Sequence, residues 1–326
     1  MTLDDIACAY WADIARKAGL PADGWTLFPI SIRDDANRAR AVYRALHDTA
    51  GDFTYHYQHK PDDYAHFADH FATQMSASKA FATTPTAGII SPWFLDDTRM
   101  ASLSHYVDGA PLTVWLSEAE GDPAAQLALL TKAGAWLAKL HSTQTIEHRN
   151  FQTRHALGYY NALRDRIERG QQKVAAPDLF LAGIETLNVC AARYDGKPTV
   201  SAVQHGDFHL RNLIYDGTCM TGIDVSKTAS APVGYDIARI LFDFTSDVYG
   251  PQGLKQGQVI AQPVMDAFFA GYHLVGQDDP SVTFLLYARV LATLNLVPQP
   301  KADRTAAKQR SLQRLRPIAR KAFHIS

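Results

Sequence analysis

The sequence predicts a mixed α+β fold with a small antiparallel-sheet N-terminal lobe and a larger, mainly helical C-terminal lobe. Short segments rich in Ile, Val, Phe, Thr and Tyr dominate up to Val107, whereas apolar residues at helical spacing dominate afterwards. The tetrapeptide DGAP at 108–111 separates the two patterns. We therefore expect an N-terminal lobe at 1–107 and a C-terminal lobe at 108–326.

Hydrophobic periodicity places the individual elements. In the N-terminal lobe it predicts helices over 3–18 and 62–81 and strands over 26–32, 39–46, 53–57, 88–95 and 100–107. In the C-terminal lobe it predicts helices over 124–141, 155–170, 177–193, 234–248, 258–275, 281–296 and 304–323. Two short strands are expected there, around Val203 and over 213–223.

Composition excludes several classes of protein. The 326 residues carry a formal net charge of -1, so the whole chain has no general attraction to nucleic acid or to an anionic membrane. Three cysteines without metal-binding spacing indicate neither a disulfide framework nor a structural zinc. The N-terminus is acidic and no apolar run of about 18 residues occurs, so we expect a cytoplasmic protein. We expect it to be a monomer or a homodimer.

One segment carries side chains suited to phosphoryl transfer. His205, Asp207 and Asn212 form an H-x-D-x-x-x-x-N arrangement, and a second aspartate, Asp224, follows a predicted strand. This reaction needs a carboxylate that accepts the proton of the attacking hydroxyl and oxygen ligands for Mg²⁺ on the phosphates. A lone aspartate in a loop is more often a turn residue or a helix cap, and only the ordered combination favours a catalytic site.

The segment resembles the HGDxxxxN catalytic loop of the aminoglycoside phosphotransferase and choline kinase family. The resemblance implies a bilobal protein-kinase-like fold, with Asp207 as the catalytic base and Asn212 and Asp224 as Mg²⁺ ligands. It further implies that His205 braces the loop by hydrogen bonds, and that Asp236 holds the loop and caps a helix.

The same resemblance concerns the segment between the lobes and one more residue of the loop. Tyr106 and Val107 resemble the hinge between the lobes, where backbone groups would bind the adenine edge. Arg211 lies inside the catalytic loop, and either contacts a phosphate or the substrate or is an exposed arginine without a partner.

The N-terminal lobe departs from the family pattern in two places. The residues at 31–37 contain no glycine where the family has a glycine-containing turn, and they include Asp34 and Asp35, which would repel a triphosphate unless Arg33 or a metal ion intervened. His56 occupies the strand position of the family lysine, and Lys60 lies four residues too late.

The predicted partner of that lysine is also missing. The helix over 62–81 contains no glutamate, which leaves Asp69 or Gln74 as substitutes. We expect His56 to contact the nucleotide, with Lys60 as the reserve candidate; the alternative is that His56 is only a surface residue of its strand.

These features together predict an ATP- and Mg²⁺-dependent kinase that phosphorylates a hydroxyl of a small molecule, with GTP as an alternative donor. The alternative is a pseudokinase, or nucleotide- or ligand-binding module, with a degenerate phosphate loop. An aminoglycoside-like sugar and a choline- or ethanolamine-like amino alcohol both remain open as acceptors, because 150–300 shows neither a marked acidic nor a marked aromatic cluster.

Overall fold

The computed structural model of the protein describes residues 1–144, 146–225, 229–299, 302 and 304–325. The chain forms two compact units. The first contains Met1–Gly109 together with the described residues from 214 to 225. The second contains Ala110–Leu213 and the described residues from 229 onward.

Ten helices and twelve strands are present in the described residues. In chain order they are α1 (Leu3–Lys17), β1 (Trp25–Asp34), β2 (Ala39–His47), β3 (Gly51–Lys60), α2 (Tyr64–Phe81), β4 (Ala87–Ile89), β5 (Pro92–Asp96), β6 (Ala101–His105), β7 (Ala110–Pro111), α3 (Leu112–Glu118), α4 (Pro123–His141), β8 (Glu147–Asn150), α5 (Arg154–Glu168), α6 (Pro177–Tyr194), β9 (Pro198–Val203), β10 (Leu213–Tyr215), β11 (Met220–Gly222), β12 (Ser230–Pro232), α7 (Gly234–Phe244), α8 (Gln262–Gly271), α9 (Pro280–Asn295) and α10 (Ala306–Ala322).

The first unit is built on a five-stranded sheet with the order β1-β2-β3-β6-β5, whose neighbouring strands are antiparallel. Strand β2 alternates strictly, so that Ala39, Ala41, Tyr43 and Ala45 are buried in one core with α1. The intervening side chains, Arg40 among them, lie on the opposite face of the sheet. The core face therefore fixes the register and assigns the charged residues of β2 to the other side.

The chain returns to the first unit after the predicted catalytic loop. Strand β11 pairs in parallel with β4, with Met220 opposite Ala87 and Gly222 opposite Ile89. The first stretch of this unit ends at Gly109, two residues after the predicted boundary at 107. The prediction of a contiguous C-terminal lobe over 108–326 differs from the structure, because the pairing of β11 with β4 places 214–225 in the first unit.

The second unit is mainly helical and contains a small antiparallel sheet with the order β8-β9-β12. Side chains of Asp122 and Asp279 cap the first turns of α4 and α9. Helices α4 and α8 pack closely, and Thr131 on α4 donates a hydrogen bond to the carbonyl of Ala267 on α8 at 2.7 Å. Among the described residues, no helix is long and apolar enough to cross a bilayer.

The helices predicted from periodicity agree with the structure to within a few residues at most ends. Helix α8 is shorter than its predicted range because Pro263 lies in its first turn and fixes its start. The strand predicted over 88–95 is two strands, β4 and β5, and the second of them begins at Pro92. Helix α3 and strands β8 and β12 were missed, since each is too short to show a period.

The close packing of α4 and α8 depends on Gly271. A Cβ atom at this position would lie 2.0 Å from the carbonyl oxygen of Thr131. We expect Gly271→Ala to lower the free energy of unfolding by about 1–3 kcal/mol, because two helix backbones must separate. Gly158→Ala is the matched control: this helical glycine has no atom within 4 Å of the added Cβ and should gain about 0.5–1 kcal/mol. Urea unfolding measures both values, and equal effects would contradict the packing argument.

Candidate active site

The predicted catalytic loop connects β9 to a single 3₁₀ turn at Leu210–Asn212 in the second unit. Gly206 adopts a φ of +89°, a conformation that side-chain-bearing residues rarely take. The turn at Gly206 lets the backbone direct two successive amide groups inward while the next residue, Asp207, is exposed. The loop is thereby anchored from below and presents its carboxylate to solvent.

The anchor is the buried carboxylate of Asp236 on α7. It accepts hydrogen bonds from the backbone amides of His205 at 2.6 Å and Gly206 at 3.3 Å. Its Oδ2 also lies 3.3 Å from Nε2 of His141, whose Nδ1 lies 2.8 Å from the hydroxyl of Tyr272. Asp236 thus holds the loop as expected of the family residue, but α7 begins without a side-chain cap hydrogen bond.

The ring of His205 belongs to an aromatic cluster. It is fully buried, 5.9 Å from the ring of Trp136 and 5.3 Å from that of Phe208, and these two rings stack on each other. His205 therefore braces the loop through its backbone amide and through packing, at a place where the ring has no access to a reacting hydroxyl.

Asp207 is the exposed carboxylate of the loop, with 52% of its side chain accessible. Nη2 of Arg239 lies 2.9 Å from its Oδ1, and Nε2 of His209 lies 3.5 Å from its Oδ2. Burial lowers the pKa of His209, an effect that the charge of Asp207 opposes. Arg239 therefore forms an ion pair with Asp207 and orients its carboxylate.

Asn212 is buried beneath the same loop. Its Nδ2 donates a hydrogen bond to the backbone carbonyl of Asp207 at 3.0 Å. Because that bond uses the amide nitrogen, the side-chain oxygen of Asn212 is the atom available as a ligand. Arg211, its neighbour, is exposed and lies close enough to His209 to contribute to lowering the pKa of that ring.

A cavity of about 650 Å³ opens beside Asp207 in the second unit. Both chain neighbours of Asp207, Gly206 and Phe208, line it, and so does Arg239, whose Nη2 lies 2.9 Å from the Asp207 carboxylate. The other walls come from α5, α7 and α9. They include the side chains of Tyr159, Tyr160, Tyr235, Arg239 and Arg289.

In the first unit, Asp224 forms a charged cluster with Arg40 and His70. The backbone of Asp224 has a φ of +57°, a left-handed conformation that is strained for a residue with a Cβ atom. Burial lowers the pKa of Arg40, and the carboxylate of Asp224 opposes that effect. Burial likewise lowers the pKa of His70, again opposed by Asp224. The three groups are thus within electrostatic reach of one another.

His56 is half-buried in this unit, with its Nδ1 atom enclosed beside α2. Its ring centroid lies 5.8 Å from that of Phe67 and 5.6 Å from that of Phe71, both on α2. Burial, followed by the charge of Arg40, lowers the pKa of His56 to about 3. The ring is therefore neutral at pH 7 and brings no positive charge to a phosphate. Lys60, the reserve candidate, is exposed at the last position of β3.

The two residues of α2 that could substitute for the missing glutamate, Asp69 and Gln74, differ in their surroundings. Asp69 is exposed, whereas Gln74 is buried and its Nε2 lies 3.4 Å from Nε2 of His70. Gln74 therefore contacts the cluster of Arg40, His70 and Asp224 and is the better placed of the two.

The turn between β1 and β2 satisfies its own backbone. The carboxylate of Asp35 accepts hydrogen bonds from the amides of Asn37 and Arg38, both at 2.9 Å, and from Nε of Arg33 at 2.7 Å. Arg33 and these amides lower the pKa of Asp35 to about 2. The amides that a glycine-containing turn would offer to phosphates are thus already occupied by a side chain.

The predicted adenine-binding segment is partly occupied as well. The backbone amide of Tyr106 donates to the carbonyl of Asp52 at 3.1 Å, and its ring lies 4.3 Å from the guanidinium of Arg44. Within the described residues, the amide of Val107 has no hydrogen-bond partner. Of the two predicted residues, only Val107 can therefore donate its backbone amide to a base.

Sequence reasoning missed Arg40, Arg239 and Arg289. A signal for Arg239 was present, because it lies three residues after Asp236 and so shares its face of α7. A signal for Arg40 was present in the alternation of β2. No sequence pattern indicated Arg289, because its position at the cavity depends on which helices pack around it.

Comparison with known proteins places the chain in a family. The model of the phosphotransferase enzyme family (APH) matches residues 45–268, more than half of the chain, so the protein belongs to this family. No curated protein sequence matches the chain.

Solved structures show the same fold at low identity. A choline/ethanolamine kinase family protein from Mesorhizobium loti aligns over 100% of this chain and 96% of its own, with a TM-score of 0.59 and 16% identity. A macrolide 2'-phosphotransferase from Brachybacterium faecium aligns over 96% and 98%, with a TM-score of 0.58 and 13% identity. The choline kinase of Cryptosporidium parvum aligns over 99% and 96%, with a TM-score of 0.56 and 10% identity. The chain therefore has the protein-kinase-like fold of these phosphotransferases.

Replacing the anchor tests the network around Asp236. We expect Asp236→Asn to lower the free energy of unfolding by about 3 kcal/mol, because a buried carboxylate that accepts several hydrogen bonds is lost. Asp165→Asn on the exposed face of α5 is the control and should change it by less than about 0.5 kcal/mol. Urea unfolding of each variant measures the difference.

The loss of unfolding free energy in Asp236→Asn should also depend on pH. Burial raises the pKa of Asp236, but the hydrogen bond from His141 and the other groups outweigh it, so the pKa lies below its ordinary value. Its contribution is then fully present above that ordinary value and is lost as the pH falls through the folded-state pKa. The difference between wild type and Asp236→Asn should be constant above about pH 5 and shrink below it. A difference that grows in acid would contradict this assignment.

Proposed function

We propose that the protein is an ATP- and Mg²⁺-dependent kinase that transfers the γ-phosphate to a hydroxyl of a small molecule. The observation that carries this proposal is the exposed carboxylate of Asp207, held on an anchored loop whose residues Gly206 and Phe208 line a cavity. A hydroxyl bound in that cavity can donate its proton to Asp207 as its oxygen attacks the phosphorus. The family membership supports the reaction class, and the acceptor is a matter for experiment.

The chemistry of the proposed metal ligands fits Mg²⁺. Asn212 offers an amide oxygen and Asp224 a carboxylate, which are the hard oxygen donors that this ion prefers. Bound with the nucleotide, Mg²⁺ would neutralise charge on the phosphates. Among the described residues, no group of three or more His, Cys, Asp or Glu side chains forms a ready metal site. The two protein ligands therefore suit an ion whose other ligands are phosphate oxygens and water.

We assign the phosphate-binding positive charge of the first unit to Arg40. Its side chain is half-buried, and its Nε is buried without a hydrogen-bond partner in the described residues. It interacts electrostatically with Asp224, the proposed metal ligand. His56 cannot supply this charge, and the amides of the β1–β2 turn are already occupied. Arg40 therefore offers the phosphates what a strand lysine offers in the family pattern.

The catalytic base is tested by Asp207→Asn. The amide cannot accept the hydroxyl proton, so transfer of phosphate to an acceptor should fall by about 10²–10⁴-fold while nucleotide binding is retained. Release of ADP from Mg–ATP is measured in the presence of mixed sugars, amino alcohols and hydroxy acids, together with the thermal shift caused by Mg–ATP. Asp97→Asn, in an exposed turn, is the control and should match the wild type.

Each outcome of that comparison decides between the alternatives. Equal ADP release by the two aspartate variants would contradict the role of Asp207. A thermal shift with Mg–ATP but no acceptor-dependent release in the wild type would favour a nucleotide-binding module without kinase activity.

The phosphate contact is tested by Arg40→Met, which keeps the apolar stem and removes the charge. We expect the dissociation constant for Mg–ATP to rise by about tenfold or more, because a charge-assisted hydrogen bond contributes about 1.5–3 kcal/mol. Arg38→Met, at an exposed position of the β1–β2 turn, is the matched control. His56→Phe should leave the affinity within about threefold of wild type, since the neutral ring makes only packing contacts. Calorimetry with Mg–ATP and Mg–GTP measures all four proteins, and an effect of His56→Phe larger than that of Arg40→Met would reverse the assignment.

A further inference from the structure

The cavity beside Asp207 carries positive charge on its walls. Arg239 projects from α7 and Arg289 from α9, and both line the cavity. Each has an Nε that is buried without a hydrogen-bond partner in the described residues. Two guanidinium groups on one cavity of about 650 Å³ are unsuited to a cationic ligand, because like charges at such range repel.

Of the two arginines that line the cavity, Arg239 is paired with Asp207, whereas Arg289 forms no ion pair in the described residues. It shares one face of α9 with Leu285, Ala288 and Ala292, and all four line the cavity. The side chain is half-buried, and no carboxylate oxygen of the described residues lies within 4.0 Å of it. Burial, and next the charge of Arg239, lowers the pKa of the Arg289 guanidinium, although an arginine stays protonated in a protein. Arg289 is therefore a charged group without a close ion pair in the described residues.

The neighbouring carboxylates have other roles. Asp207 is paired with Arg239, and Asp236 accepts two backbone amides of the loop. Asp243 lies one turn beyond Arg239 on α7 and interacts electrostatically with both Arg239 and Arg289, and burial raises the pKa of its carboxyl group. None of the three carboxylates lies within 4.0 Å of the Arg289 guanidinium, so an acidic group of a ligand can pair with it directly.

We propose that the acceptor is a hydroxyl compound bearing an acidic group, a carboxylate or a phosphate ester, and that Arg289 binds this acidic group while Asp207 binds the hydroxyl. The inference rests on the proposed kinase function. Arg289 lines the same cavity as Arg239, whose Nη2 lies 2.9 Å from Oδ1 of Asp207, so one small molecule in the cavity can reach both groups. Tyr159, Tyr160 and Phe208, together with alanines of three helices, give the rest of the wall an apolar and aromatic character suited to a carbon skeleton or a sugar ring.

The reaction on such an acceptor balances without a further reagent. The hydroxyl oxygen forms a bond to the γ-phosphorus of ATP, the bond from that phosphorus to the bridging oxygen breaks, and ADP leaves. The hydroxyl proton passes to Asp207 and from there to solvent. The product carries a phosphate ester in addition to its original acidic group.

The test uses probes that share a skeleton and differ in charge. Glycerate, glycerol and serinol form one series, and 3-phenyllactate, its methyl ester and phenylalaninol form the other; each runs from anionic through neutral to cationic. Glycerol 3-phosphate adds the phosphate-ester arm. Thermal shift and calorimetry on the full chain measure binding without nucleotide, and ADP release with Mg–ATP measures transfer.

We expect at least one acidic probe to stabilise the wild type while the matched amino alcohol does not. Arg289→Met should weaken that acidic probe at least about tenfold, Arg289→Lys should restore part of the affinity, and Arg166→Met, at an exposed position of α5, should match the wild type. The charge comparison within the wild type stands even if Arg289→Met does not fold.

Several results would overturn the inference: stronger binding of the amino alcohols, equal binding of the acid and its neutral analogue, an unchanged affinity in Arg289→Met, or no binding of any acidic probe at about 10 mM. The proposed kinase function fails separately. It fails if an acidic probe binds through Arg289 and Mg–ATP binds, yet no hydroxy acid, sugar or amino alcohol is phosphorylated.

Discussion

The buried carboxylate of Asp236 is the constraint on which the second unit's site depends. A full negative charge in the protein interior is tolerated only when hydrogen bonds surround it, and here the loop amides of His205 and Gly206 and the imidazole of His141 do so. The loop cannot move away without leaving that charge unsolvated. The conformation that exposes Asp207 is therefore maintained by the hydrogen bonds of a different residue. Arg239, on the same helix as Asp236, contacts the carboxylate of Asp207 directly.

The phosphate contacts proposed for the first unit rest on side chains rather than on backbone amides. The carboxylate of Asp35 occupies the amides of the β1–β2 turn, and β3 places a neutral imidazole where a lysine is usual. In the proposed function, Arg40 on the neighbouring strand supplies that charge. An arginine can bind two phosphate oxygens at once through its planar fork, so such an exchange would alter the geometry of recognition as well as its position.

The sequence predicted those parts of the fold and site that depend on local pattern. Helical spacing located the long helices, and the order and spacing of Asp207, Asn212 and Asp224 were enough to indicate the family. Contacts between distant segments could not be predicted in the same way. The parallel pairing of β4 with β11, the stacking of His56 on α2 and the approach of Arg289 to the cavity join residues that are far apart in sequence. Their chemistry depends on burial, which a linear pattern of residues does not report.

The pairing of β4 with β11 has a consequence for any attempt to divide the protein. The first unit is completed by a segment more than a hundred residues beyond Gly109, so a fragment ending at Gly109 would lack the partner of β4 and would expose its unpaired backbone groups. During synthesis the N-terminal segment must likewise wait for 214–225 to leave the ribosome before its fold is complete. The proposed metal ligand Asp224 lies on that same returning segment, so the first unit is completed and acquires this carboxylate in a single event.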